Sequence, residues 1–329
     1  MEKYINIMKN TIRDTQYMTK QKKDKFLKYN EYSNKTIDEL FENNSNELIK
    51  KLEEYEYEKN YKFFTLHKFD AEKLNVENLR KSKKINNDDF DKIGETIDKP
   101  TMKEHDSNNI DLKFSILINQ NYKYVVIASI FLDLGIIAIK FCSIEGEYYH
   151  ENMYINIKNR VKNYIENELN IKLEDINTKS AFEKLYKKIK DNTIDDEVSL
   201  YSAKFEDDLN GTSYFKATVQ EILPFIQSLD QLINDFESEK DKQLIKSYIE
   251  EYEENSKMST LAIKWKKKFS DNTQGKKGNV VIGIREIYVE DKVTNQVKLD
   301  CIRHNVLQKS SVNKERIDYG IRYIAKYIE

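Results

Sequence analysis

The most regular hydrophobic pattern in the chain lies within 112–144, where three apolar runs are separated by short polar stretches. The first run alternates apolar with other residues, which is the period of a strand, and the next two are rich in Val and Ile. The stretches between them have the Asn, Asp and Gly composition of turns. An antiparallel meander is therefore predicted, and its almost continuous apolar character predicts helices on both faces. The predicted strands are 114–118, 124–131 and 136–144, with turns at 119–121 and 133–135.

The alternative for this region is a membrane-spanning helix over 124–142, which has about the required length. Asp133 and Gly135 lie at its centre, however, and Lys140 lies within it. A central Asp costs roughly 2.5–3.5 kcal/mol on insertion. The pattern therefore favours strands, and no membrane association is expected.

Further elements follow from helical spacing of apolar residues, from capping residues and from strand-like alternation. The polar segment 71–109 is predicted to be a connection without regular structure. The predicted helices are 2–31, 37–55, 156–169, 179–190, 222–254 and a closing helix with Ile317, Ile321, Ile324 and Ile328 on one face. The predicted strands outside the meander are 63–69, 200–205, 214–219, 261–265, and a hairpin of 280–289 with 296–303 turning through 290–295.

These elements predict an α+β protein, in which an antiparallel meander sheet is packed by helices and a smaller α+β part is closed by a C-terminal helix. The predicted domains are 1–200 and 201–329, with a boundary near 195–210. The second domain contains a long acidic helix and a basic hairpin.

Composition changes the picture only slightly: 39% of residues are hydrophobic and 34% charged, so the chain can bury a core. Only 2 Pro and 8 Gly are present, which favours helices over long irregular linkers. Cys142 and Cys301 lie in apolar strand-like contexts and are expected to be buried thiols. The N-terminus shows no secretion-signal pattern, so a reducing cytoplasmic location is expected.

Charge is unevenly distributed, although the whole chain has a net charge of only -2. Residues 191–256 carry 17 Asp and Glu against 5 Lys, whereas 257–329 carry 16 Lys and Arg against 8 Asp and Glu. Such asymmetry indicates an anionic partner for the basic tail. Mutual neutralisation of the two segments within the fold is the equally weighted alternative.

The basic tail contains candidate phosphate-binding residues, since phosphate surfaces need several lysines on one face. In the run 264–269 alternate lysines would share one side of a strand, while Trp265 and Phe269 could stack on bases. A strand would place Trp265 and Lys267 together on its other side, where the Trp would be buried. The candidate residues are Lys264, Lys266, Lys268, Lys276 and Lys277.

The helix 179–190 is a second candidate, because it has an apolar face and a basic face. Lys184, Lys187 and Lys188 form the basic side. With the preceding helix it forms a pair joined by a short connection, as in a helix-turn-helix whose second helix enters a DNA groove. The same pattern is typical of an ordinary surface helix.

Catalytic chemistry has one weak candidate. Asp271, Glu290 and Lys292 fit the pattern of a metal-dependent nuclease, in which carboxylates hold Mg²⁺ and a lysine assists the attacking water. Asp291 occupies a position that such sites usually make apolar, and the triplet 290–292 falls at a predicted hairpin turn. The four histidines have no zinc spacing and no phosphate-binding loop is found, so no metal and no cofactor are expected.

Two segments, NYKFFTLHKFD and GNVVIGIREIYVEDKVTNQVKLDCIRHNV, together with the final helix, resemble the corresponding parts of RexA-type phage-exclusion proteins. The resemblance covers about a quarter of the chain and is one of pattern, with no counterpart for the acidic helix 222–254. It implies a cytoplasmic, self-associating DNA-binding protein of antiviral defence. It carries over no catalytic residue.

The expected function is therefore that of a non-enzymatic DNA-binding or partner-binding protein in phage defence or prophage regulation. DNA, a second copy of the chain and a basic protein are the expected partners. The alternatives are a metal-dependent nuclease and an assembly factor that contacts no nucleic acid.

Overall fold

The computed structural model shows an α+β protein that divides into two compact units. Unit 1 comprises Met1–Ile176 and Val289–Val297, and unit 2 comprises Asn177–Tyr288 and Lys298–Glu329. The division therefore precedes the region 195–210 in which a boundary was predicted. The structure describes residues 2–13, 23, 37–59, 61, 63–74, 100–118, 122–142, 153–191, 193–194, 197–206, 212–216, 233, 238–255, 257–270, 277–289, 297–304 and 314–328.

Unit 1 is built on an antiparallel sheet with the strand order β2-β3-β4-β5-β1, to which the short strand β6 is added beside β1. The predicted meander is confirmed. Its helices are α1 (Glu2–Arg13), α2 (Ile37–Glu58) and α3 (Met153–Leu169), and its strands are β1 (Phe63–Lys68), β2 (Thr101–Asp106), β3 (Asn109–Ile118), β4 (Tyr122–Phe131), β5 (Ile136–Phe141) and β6 (Glu174–Asp175).

Helices cover both faces of this sheet, as the continuous apolar run predicts. All residues of β3, β4 and β5 are buried. On one face, α1 and α2 form a core cluster with Leu117. On the other, the ring of Tyr164 in α3 meets Phe114 edge-on, with 5.4 Å between the centroids. The sequence 124–142 is thus two buried strands joined by a turn.

The turn between β4 and β5 depends on Gly135, which adopts a left-handed conformation with φ of 61°. A Cβ at this position would lie 2.8 Å from the carbonyl oxygen of Phe69, whose N–H in turn donates to the Gly135 carbonyl. Glycine is the residue that tolerates both the conformation and the close approach. The predicted turn at 133–135 is confirmed.

The prediction of an irregular connection over 71–109 is wrong for its last part, because 101–106 form β2 and β3 begins at Asn109. β2 pairs with β3 at the end of the described strand order and is only partly buried. Such a polar edge strand lacks the alternation of apolar residues by which strands are recognised, and its charged side chains are typical of protected edges.

In unit 2 the strands follow the order β11-β10-β9-β7-β8. The helix α4 packs on β7 and on α6, and the apolar residues of α4 and α6 are buried. The elements are α4 (Thr178–Lys190), β7 (Val198–Glu206), β8 (Thr212–Lys216), α5 (Glu239–Asn255), β9 (Lys257–Lys267), β10 (Gly278–Val289), β11 (Val297–His304) and α6 (Lys314–Ala325).

Gly320 sets the distance of α6 from the sheet. A Cβ at this position would lie 2.1 Å from Cδ1 of Ile282 in β10. Ile317, Ile321 and Ile324 of the same helix are fully buried, as predicted for the closing helix, which ends before Ile328. The helix therefore lies directly against β10.

Several predicted features lie outside the described residues. They are most of 14–31, the turn at 119–121, most of 222–237 at the start of the long acidic helix, and the hairpin turn at 290–295. Within the described part of the chain, no helix is long and apolar enough to cross a lipid bilayer.

Candidate nucleic-acid interface

The helix α6 has a second face that the isoleucine pattern does not reveal. Tyr319 and Tyr323 lie one turn apart on it, and Tyr327 follows in the turn after its end. The ring centroids are 6.2 Å apart for the first pair and 6.0 Å apart for the second. Residues four apart are neighbours on a helix surface, so the sequence spacing itself produces this row.

A lysine lies over each of the three rings. The Nζ atom of Lys267, from the end of β9, is 4.3 Å from the centroid of Tyr319. Lys326 lies 5.0 Å from the centroid of Tyr323, and Lys188 of α4 lies 5.2 Å from that of Tyr327. All three lysines are exposed. We call these six residues the lysine–tyrosine row; they are Lys188, Lys267, Tyr319, Tyr323, Lys326 and Tyr327.

The predicted lysines of the basic tail lie on one face of β9 and in the segments that follow it. Lys264 is half-buried and Lys266 exposed on the face opposite Trp265, while Lys268 is exposed beyond the end of the strand. Lys277 forms an ion pair with Glu197, which lowers the pKa of that carboxyl. Lys276 lies outside the described residues.

The two aromatic residues proposed to stack on bases do not present their rings to solvent. Trp265 is fully buried and meets Tyr323 edge-on, 5.8 Å between centroids. Phe269 is also buried, and Arg316 covers it at 4.9 Å from the ring centroid. The prediction of base stacking by Trp265 and Phe269 is therefore wrong, whereas burial of the Trp on the side of Lys267 is confirmed.

The lysines of α4 line a concave surface. Lys184, Lys187 and Lys188 surround a groove of about 480 Å³, and Lys326 approaches it from the end of α6. We call this the lysine groove; its lining residues are Lys184, Lys187, Lys188, Asp191, Thr193, Lys326, Tyr327 and Ile328. The structure therefore brings all three predicted α4 lysines together and adds a fourth that the sequence reasoning missed.

The sequence predicts Thr178 as the cap of the helix 179–190, but in the structure Thr178 is the first residue of α4. Asn177, rather than Thr178, accepts the hydrogen bond from the Ser180 N–H at the start of the helix. Between α3 and α4 lies the short strand β6, which pairs with β1. The connection is therefore not the simple turn of a helix-turn-helix.

The candidate nuclease residues Asp271, Glu290 and Lys292 all lie outside the described residues. Among the described ones, no group of three or more His, Cys, Asp or Glu side chains is arranged to hold a metal ion.

Unit 1 contains a different group of charges, which sequence reasoning missed. Lys113 and Lys123, on adjacent strands, point toward α2, where Glu53 and Glu56 lie one turn apart. Lys123 Nζ lies 2.7 Å from Glu53 and 3.1 Å from Glu56, and Lys113 pairs with both carboxylates, at 3.2 Å from Glu56. Both lysines and Glu56 are buried. Burial, and the positive charge of Lys123, lower the pKa of Lys113.

A second buried polar group lies on the other face of the same sheet. Nδ1 of His67 lies 2.9 Å from Asp175 in β6, and Nε2 lies 2.9 Å from the hydroxyl of Thr65. Lys158 and Lys162 of α3 also pair with Asp175. Burial lowers the pKa of His67, while its hydrogen bond and the two lysines lower that of Asp175. Both ring nitrogens have partners, which explains how the histidine is tolerated in the core.

No protein-family model matches this chain, and no curated protein or solved structure shows significant similarity to it.

Proposed function

We propose that the protein binds nucleic acid, with DNA as the leading ligand, through the lysine–tyrosine row of unit 2, and that it does so without catalysing a reaction. The observation that carries the proposal is the convergence of Lys267 from β9 and Lys188 from α4 on one row of tyrosines. The two lysine-rich segments are far apart in sequence. Their meeting produces a basic surface with aromatic residues between the charges.

Such a surface has the two components that nucleic-acid binding requires. Exposed ammonium groups neutralise backbone phosphates and release counterions, which supplies most of the sequence-independent affinity. Aromatic rings can stack on bases, and this contact accepts every base. Tyr319 and Tyr327 are half-buried, so part of each side chain faces solvent, whereas Tyr323 lies mostly beneath Lys326.

The competing account assigns the lysines to the fold, either through cation–π contacts or through neutralisation by the acidic segment. Exposed cation–π contacts contribute only about 0.5–1 kcal/mol each, so the stability of the fold does not depend on having three of them in a row. Among the side chains that the structure describes, no carboxylate forms an ion pair with Lys188, Lys267 or Lys326, and Glu239 of α5 pairs with Lys242 of its own helix. The small size of the cation–π contribution favours an external anion as the reason for the row.

The test is fluorescence anisotropy with labelled DNA over a series of salt concentrations. Replacing Lys188 and Lys326 by Ala should lower the slope of log K against log salt by about 1.8 for duplex DNA and about 1.4 for single strands. The matched control replaces Lys240 and Lys246, two exposed lysines of α5, and should leave the slope almost unchanged. Equal slopes for both double variants, or no binding by the unmodified protein, would contradict the proposal.

The same binding reactions test the nuclease alternative. We expect DNA to stay intact with Mg²⁺ present, and cleavage that disappears in Glu290→Ala would instead support an enzyme. The resemblance to RexA-type proteins implies a role in phage exclusion, and we propose that role only as the biological process in which the DNA binding takes place.

A further inference from the structure

The lysine groove differs from the rest of the basic surface because it is concave and concentrates charge. Among the described residues, four lysines and one carboxylate, Asp191, line it, and the lysines come from α4 and from the turn after α6. A cleft lined by one sign of charge raises the local concentration of oppositely charged ligands more than a flat surface does. One internal phosphodiester carries a single negative charge, which is less than the positive charge that the four lysines of the groove bring together.

Helix stability explains only part of this arrangement. Lys187, Lys188 and Lys190 lie in the last turn of α4, where positive charge interacts favourably with the helix dipole. Lys184 lies one turn earlier, and Lys326 comes from a different segment. Interaction with the dipole of α4 does not require those two.

Two carbonyl groups in the last turn of α4 accept backbone hydrogen bonds, which offsets part of the negative partial charge at this helix end. The N–H of Asp191 donates to the Lys187 carbonyl at 2.9 Å, and the N–H of Thr193 donates to that of Lys188 at 2.9 Å. Capping of this kind satisfies the terminal carbonyl groups that otherwise give a helix end its negative partial charge.

The volume of the groove restricts the ligand. About 480 Å³ lies within the range of small-molecule sites, roughly 300–1,000 Å³. A duplex, whose major groove alone is about 12 Å wide, does not fit inside. A nucleotide at a strand end does fit, and a terminal phosphate monoester carries about −1.5 to −2 charges at neutral pH.

We propose that the lysine groove receives a nucleotide that ends in a phosphate monoester, either at the end of a nucleic-acid strand or as a free nucleotide. The lysines surround the terminal phosphate and Tyr327 contacts the base or sugar. The strand-end form rests on the proposed function, since the lysine–tyrosine row then holds the adjoining nucleotides: Lys188, Lys326 and Tyr327 belong to both surfaces. The free-nucleotide form does not depend on it.

The experiment compares single-stranded oligonucleotides that differ only in their ends: a 5′-phosphate, a 3′-phosphate, or hydroxyl groups at both ends. One phosphorylated form should bind about tenfold more tightly than the hydroxyl form, the effect of added hydrogen bonds to a charged group. Lys184→Ala with Lys187→Ala should remove this preference, while Lys240→Ala with Lys246→Ala keeps it. Circular dichroism checks that each variant is folded.

Free nucleotides form the second arm. ATP and AMP are titrated against the emission of Trp265, the single tryptophan, which contacts Tyr323 next to the groove. A shift that saturates and is lost in Lys184→Ala/Lys187→Ala identifies free nucleotides as ligands, even if no oligonucleotide binds. Equal binding of all three oligonucleotides, together with no response to either nucleotide, overturns the groove proposal and leaves the proposed DNA binding intact.

Discussion

Both units combine lysine, tyrosine and carboxylate side chains, but in opposite surroundings. In unit 1, Lys113 and Lys123 lie buried beneath α2, paired with Glu53 and Glu56. Lys113 also lies 5.0 Å from the ring centroid of Tyr57. In unit 2 the lysines of the lysine–tyrosine row are exposed, and no described carboxylate pairs with them.

The difference shows why residue type alone does not reveal a lysine's role. A buried ammonium loses its hydration, so it is tolerated only where carboxylates replace that hydration. Such a group contributes to the specificity of packing, and its buried charge is not accessible to a ligand. An exposed lysine contributes little to the fold and remains available to phosphates.

The largest expected effect comes from making the same substitution in both units. Lys123→Met removes one of the two lysines that pair with Glu53 and Glu56 beneath α2, and loss of one member of a buried ion pair costs about 3–5 kcal/mol. Lys326→Met should change the free energy of unfolding by at most about 1 kcal/mol. Urea denaturation followed by circular dichroism measures both values. Similar costs for the two variants would mean that the comparison between the units is wrong.

The pH dependence of stability should come from unit 1 and have an intermediate size. Burial lowers the pKa of His67 from 6.5, so near that pH the unfolded chain binds more protons than the folded one. Stability therefore falls as the pH decreases below about 6.5. The lowered pKa of Asp175 acts in the same direction, because its contribution is present above 3.8 and is lost as the pH falls below it.

The measurement is the urea concentration at the midpoint of unfolding, determined at several pH values from 7.5 down to 5. This midpoint should decrease with pH for the unmodified protein and change much less in His67→Gln. Glu54→Gln, an exposed position on α2, serves as a control and should keep the full pH dependence. A midpoint in the unmodified protein that does not change with pH would refute the assignment to His67.

The smallest effect concerns Lys277, which is exposed like the lysines of the row but is paired with Glu197. Glu197→Gln should leave the free energy of unfolding almost unchanged, as expected for a surface ion pair. If Lys277 then contacts a phosphate, the salt slope should increase by up to about 0.9. An unchanged slope would place Lys277 outside the interface.

The meander was predictable because its strands, its turns and its burial all follow from local sequence. The alternation of apolar residues identifies β3, and the turn composition at 133–135 matches the left-handed conformation of Gly135. The continuous apolar run in β4 indicates that helices pack on both faces of the sheet. β2 was missed, since an edge strand needs no apolar alternation.

The two lysine environments were not predictable from local sequence. In the sequence, Lys113 alternates with apolar residues, which is the pattern of a residue that faces solvent. Its burial depends on Glu53 and Glu56, which precede it by more than fifty residues. The spacing of Glu53 and Glu56 on one helix face was a usable signal. In α6 the isoleucines define the core face, and the spacing of Tyr319, Tyr323 and Tyr327 was visible but is equally typical of core packing.

The contact between Gly320 and Ile282 has an evolutionary consequence. A methyl group at position 320 would meet Cδ1 of Ile282, which is fully buried, so either that side chain or the helix carrying the tyrosines has to shift to make room. Purifying selection on the row should therefore extend to a residue that touches no ligand. Among descendants of a common ancestor, chains that retain the three tyrosines should retain Gly320, or change positions 282 and 320 together.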